Sequence, residues 1–266
     1  FIKFGSIAIP LIIICIVGVL ILVKLLIKKV PISSKMSYLI AIGTSVCGAT
    51  AIVATAPVIN AKKSEVAYAI ANITLFGVIA MLLYPYFAEW YFDNEALNIG
   101  LFLGTSIHET SQVAAAGLIY DQQFNSPETL NVATVTKLIR NTFLVVLIPL
   151  FAFLYNRGEL KGQKYSIFNI FPYFVLGFIG MIIVRNLGDQ FYPVGSNNHE
   201  IWVNLIEYFK ILTTVFLTMA MAAVGISINL SELKSMGYKP FVVGLIAAVT
   251  VGIISLIYIE TLNKFI

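Results

Sequence analysis

Charge is scarce in this chain. Only 11% of its 266 residues are Asp, Glu, Lys or Arg, and 59% are hydrophobic. A soluble domain carries about 25% charge. With a mean hydropathy of +0.92, this excludes an ordinary water-soluble globule. Cysteine is nearly missing too. Cys15 and Cys47 both lie in apolar stretches, which excludes a disulfide framework and a cysteine metal site. There are no ten-residue segments of alternating polarity, so a β-barrel is excluded. No glycine-rich phosphate loop is present, which excludes an ATP-driven pump. The net charge of +4 is small, and Lys and Arg fall mostly between apolar runs. That pattern reflects topology, so no nucleic-acid partner is expected.

Long apolar runs are what the chain does have. Eight segments stand out, at 6–27, 37–60, 65–87, 96–119, 129–155, 167–187, 205–228 and 238–262. Each is close to the ~20 residues that cross a bilayer. Residues 1–266 therefore read as one transmembrane domain in contact with lipid. The chain begins at Phe1, and Lys3 leads directly into an apolar run; further spans are expected upstream. Counting Lys and Arg puts Lys28, Lys29, Lys35, Arg157, Lys161, Lys164, Lys234 and Lys239 on one side. Lys62, Lys63, Lys264 and Lys3 fall on the other. The richer side is assigned to the cytoplasm.

Two of the segments carry near-copies of a polar stretch. One reads Gly43-Thr44-Ser45-Val46-Cys47-Gly48-Ala49-Thr50, the other Gly104-Thr105-Ser106-Ile107-His108-Glu109-Thr110-Ser111. Lipid offers nothing to a loosened backbone, so such stretches must face protein or a wet cavity. Gly43, Gly48 and Pro57 weaken the first helix, and a break near Cys47–Thr50 would expose a helix N-terminus that suits an anion. Ser45, Cys47, Thr50 and Thr55 are candidate substrate ligands there, with Ser106 from the second stretch. The alternative is close packing of small residues between helices.

Glu109 is the one acidic residue inside a segment interior. Gln112, three residues on, shares its helix face, as does Thr105, four before. A carboxylate at that depth is costly unless paired or protonated. His108, Glu109 and Gln112 are therefore assigned to ion coupling, by a proton or by Na⁺. Lys137, Arg140 and Asn141 occupy one helical stripe. Lys137 is grouped with the coupling residues, and Arg140 and Asn141 with substrate binding. Arg140 would pair with Glu109 or grip an anion bidentately. The alternative for both cations is snorkelling to the interface.

Segment 205–228 lies five segments after 37–60, so it runs the opposite way. It has its own small-residue stretch, 220–227. This predicts an all-α, polytopic membrane helix bundle with inverted repeats and discontinuous, crossing transmembrane helices. A secondary transporter is expected, with an anion channel as the alternative. An intramembrane protease is disfavoured. The His108-Glu109 pair lacks the second His that a zinc peptidase needs four residues on, where Gln112 stands. No enzyme activity and no cofactor beyond a coupling ion are expected.

Gly43 through Ile59, Gly104 through Gly117, Lys137 through Asn141, and Ala220 through Pro240 together resemble the signatures of the YeiH-like sulfate-exporter family of bacterial inner-membrane proteins. The resemblance covers most of the chain. It implies a multi-pass inner-membrane protein of the bile-acid, arsenite and auxin-carrier type of fold, with two five-helix inverted repeats. The implied cargo is a small anion of the sulfate or sulfonate kind, and a homodimer is an option. Some relatives have Glu where this chain has Ala56, so no coupling role carries over to that position.

Overall fold

The computed structural model describes residues 2–27, 29–159, 174–196, 198–227, 231 and 237–264. Lys28, Lys161, Lys164, Lys234 and the first part of segment 167–187 lie outside the described residues. Among those described, the helices in chain order are α1 (Ile2–Ile27), α2 (Ser34–Ser45), α3 (Gly48–Thr55), α4 (Lys63–Phe92), α5 (Ala96–Ser106) and α6 (Thr110–Phe124). They continue with α7 (Pro127–Thr142), α8 (Leu144–Glu159), α9 (Phe174–Phe191), α10 (His199–Ser227) and α11 (Lys239–Asn263). No strand occurs among them. The chain is an all-α membrane helix bundle.

Among the described residues, four stretches are long and apolar enough to cross a bilayer: Ser6–Leu26, Lys63–Phe92, Pro127–Phe151 and Lys239–Asn263. Their outer faces confirm the solvent. On α4, Leu75, Ile79, Leu82, Leu83, Tyr86 and Trp90 all point outward. A row of that kind in water would aggregate; against lipid it is the stable arrangement. Trp90 and Tyr91 end the row as an interfacial belt does. The inner faces of α1, α2, α5, α6 and α11 bury Leu11, Ile42, Leu101, Val113 and Ile259 in one apolar cluster.

Two expected segments are not single helices. In 37–60 the helical path stops at Ser45 and resumes at Gly48. In 96–119 it stops at Ser106 and resumes at Thr110. At ~1.5 Å per residue, α2 and α3 reach roughly 18 and 12 Å, and α5 and α6 roughly 16 and 22 Å. Each falls short of the ~30 Å hydrocarbon core. The tripeptide Gly-Thr-Ser forms the last three residues of α2 and of α5. Pro57 does not kink a helix either, since α3 has already ended at Thr55. Segment 205–228 differs, because α10 runs unbroken to Ser227. Its 220–227 stretch holds three alanines and one glycine, which favours helix more than the two glycines of 43–50 do.

Helix α7 lies against α5 at very short range. A Cβ at Gly100 would sit 2.5 Å from Val132 Cβ, and one at Gly104 would sit 2.6 Å from the Ala133 carbonyl oxygen. The two glycines are four residues apart and form the small-residue stripe that lets two backbones meet. That approach brings Lys137 and Arg140, on the same face of α7, to the two helix breaks.

Candidate functional site

Both breaks meet at the inner face of α7. Helices α2 and α5 end there, and their last carbonyls have no intrahelical partner. Arg140 is fully buried. Its Nε donates to the Ser45 carbonyl at 2.8 Å and its Nη2 to the Thr44 carbonyl at 2.5 Å. Nη1 donates to the Thr105 carbonyl. Lys137 is equally buried. Its Nζ donates to the carbonyls of Val46 at 2.8 Å and Ile107 at 2.9 Å, and also to that of His108. Each cation thus bridges both helix ends. A helix C-terminus carries about half a negative charge, so both cations sit, fully buried, against two negative dipole ends.

The surroundings of both residues differ from the expected ones. Arg140 forms no ion pair with Glu109, and its guanidinium is directed at backbone carbonyls rather than at an open cavity. Lys137 spends all three ammonium protons on carbonyls. Neither snorkels. Both bind backbone carbonyls at the ends of α2 and α5.

Glu109 is 6% exposed and stands at the N-cap position of α6. Its Oε1 accepts the Ala49 N–H at 3.0 Å, in the first turn of α3. The anion-suited N-terminus of α3 therefore holds the protein's own carboxylate. Gly48 permits this. Its φ is +21°, and a Cβ there would sit 2.7 Å from Glu109 Cγ. The expected sharing of one face by Thr105 and Glu109 fails, because the break at 107–109 lies between them, whereas Glu109 and Gln112 both belong to the start of α6. Thr105 bonds Ser255 Oγ at 2.7 Å, and Gln112 Nε2 donates to the Thr74 carbonyl at 3.2 Å.

The remaining candidates divide. Asn141 Nδ2 donates to Thr110 Oγ1 at 3.0 Å, and Cys47 Sγ lies 3.8 Å from that same oxygen. These three side chains border the start of α6, whose first turn has no side-chain cap. Thr50 and Ser111 are exposed beside the two breaks. Ser45 Oγ, Thr55 Oγ1 and His108 Nδ1 are buried without a hydrogen-bond partner. Ser106 turns its hydroxyl back on the Phe102 carbonyl at 2.5 Å, so it is not aimed at His108 as a protease nucleophile would be. Thr44 and Thr136, which sequence reasoning did not single out, add two more buried hydroxyls without partners. Thr136 stands one residue before Lys137, and that adjacency was the only signal for it.

Comparison with known proteins places the chain. Residues 1–244 match the family described as conserved hypothetical protein 698. The chain belongs to this family. Among similar members, a UPF0324 membrane protein of Fusobacterium nucleatum is 36% identical over 261 residues, covering 96% of this chain and 75% of the relative. One of Streptococcus agalactiae is 35% identical over 256 residues, covering 95% and 72%. The inner membrane protein YeiH of Escherichia coli is 32% identical over 225 residues, covering 82% and 58%. No solved structure matches the chain. The YeiH-like resemblance seen in the sequence therefore holds, and the chain is a multi-pass inner-membrane protein.

Proposed function

We propose that this protein is a secondary carrier of a small anion of the sulfate or sulfonate type, coupled to a proton or to Na⁺, and not an enzyme. One observation carries the reading. The two helix C-termini and two helix N-termini at the crossing offset one another in charge. What remains are two buried cations, Lys137 and Arg140, against one carboxylate, Glu109. In a low-dielectric setting that surplus attracts an anion strongly. The start of α6, bordered by Thr110, Asn141 and exposed Ser111, offers N–H groups that no side chain caps. There the anion would bind under the field of the cations without touching them. Glu109, seated on α3, is the group that a coupling proton would discharge. Alternating access would come from movement of other helices against this crossing.

The test is flux in proteoliposomes loaded with labelled sulfate. Saturable counterflow is expected, and Glu109→Gln should abolish its dependence on a pH gradient while sulfate still binds. Ohmic single-channel currents would replace the carrier by a channel. Undiminished proton-coupled flux in Glu109→Gln would remove that residue from the mechanism.

A further inference from the structure

The carbonyls of Val46, Ile107 and His108 converge on one point. They come from the ends of two different helices, and Lys137 Nζ occupies that point. Three inward-facing carbonyl oxygens at two negative dipole ends, inside lipid, make a cation site. Its occupant can be a mobile ion or a tethered one. Here it is tethered: the ammonium has three protons and three carbonyl acceptors, and its stem runs back to α7 with no exposed surface. Arg140 fills the neighbouring set, the carbonyls of Thr44, Ser45 and Thr105. A free Na⁺ entering beside these two cations would find its oxygen ligands already taken and would be repelled.

We propose that Lys137 is a resident cation occupying the place a coupling Na⁺ would take, so that the protein neither binds nor uses Na⁺ at the helix crossing. The consequence for coupling rests on the carrier reading above, and of the two coupling ions considered there it leaves the proton. Lys137 is a specificity-determining residue in this sense. Unlike a mobile ion, it is tethered to α7 and cannot leave the crossing.

The experiment compares thermal unfolding of the purified full chain in sodium chloride and in choline chloride at equal ionic strength. Wild type is expected to melt at the same temperature in both. Lys137→Ala should melt lower in choline and recover by roughly 3–5 °C in sodium, since a vacated site filled well above its Kd stabilises the fold. Lys137→Met, which fills the space with an apolar chain, should show no sodium-specific recovery. A sodium-specific rise in wild type overturns the assignment, and so does its absence in Lys137→Ala. If Lys137→Ala does not fold, the wild-type comparison decides alone. Anion flux of wild type should be equal with sodium or choline outside. A protein without flux under any condition defeats the carrier reading and leaves the melting result standing, so the two failures are separable.

Discussion

Replacing Arg140 by Met separates a structural cation from a substrate ligand. The change keeps an unbranched apolar stem of similar reach and removes the guanidinium. Three carbonyls, those of Thr44, Ser45 and Thr105, lose their donor together. Each buried carbonyl left unpaired costs ~1–3 kcal/mol. The helix ends also lose a countercharge worth up to ~2 kcal/mol in a buried setting. These losses are not additive, because α2 and α5 would relax apart. Breaking a buried charge pair by removing one partner costs about 3–5 kcal/mol, which is a sensible total here. For a chain of this size that lowers the melting temperature by roughly 10 °C. The assay is thermal unfolding in detergent, read by loss of monodisperse protein, with sulfate titrated at each temperature. Wild-type melting together with weakened sulfate affinity would refute the reasoning. Arg140 would then be turned toward the substrate and not toward the backbone.

Gly48→Ala places a methyl group 2.7 Å from Glu109 Cγ and forces Ala into a φ of +21°. It should cost about 2 kcal/mol through the lost charge-assisted bond and backbone strain, and less than half of that in a Glu109→Ala background; equal costs in both would show that the carboxylate does not depend on Gly48. In the last turn of α9, at a position beyond segment 167–187, the Asp189 carboxyl is held below the usual carboxylate range by the Trp202 indole N–H from α10 and by the Arg185 guanidinium one turn earlier. A depressed pKa contributes stability above the unfolded value of ~3.9 and loses it as pH falls through the folded value. Trp202 emission in a Trp90→Phe background should therefore shift red only in strong acid, and Asp189→Asn should show no such transition. A constant spectrum down to pH ~2 in the Asp189 protein would discount this pairing.

The two polar stretches were legible because glycine and hydroxyl residues are conspicuous against an apolar background. Their meaning was less so. A break is expected near Cys47–Thr50, and helical geometry is left at Val46 and, in the second copy, at Ile107, each just after the serine of Gly-Thr-Ser. The partners of Lys137 and Arg140 were not legible. Their partners are backbone carbonyls, which every residue carries, so no side-chain pattern announces them. The separations of 91 residues to Val46 and 96 to Thr44 put those partners beyond any helical spacing rule. The same holds for Glu109, whose partner is a backbone N–H 60 residues away. The visible hint was indirect: two cations three residues apart with one carboxylate to balance them.

The crossing also constrains where movement can occur. Six carbonyls from two interrupted helices are held by two side chains of one helix, and Gly100 and Gly104 bring that helix to backbone distance from α5. Sliding α7 by even one turn would strip all six carbonyls at once, in a place where water cannot replace the lost bonds. Helices α2, α3, α5, α6 and α7 are therefore one mechanical unit. Of the four helix ends at the two breaks, those of α2, α5 and α3 are satisfied by side chains, and the first turn of α6 is not. The part of the site that can change occupant without dismantling the fold is thus the α6 end, together with the single carboxylate beside it.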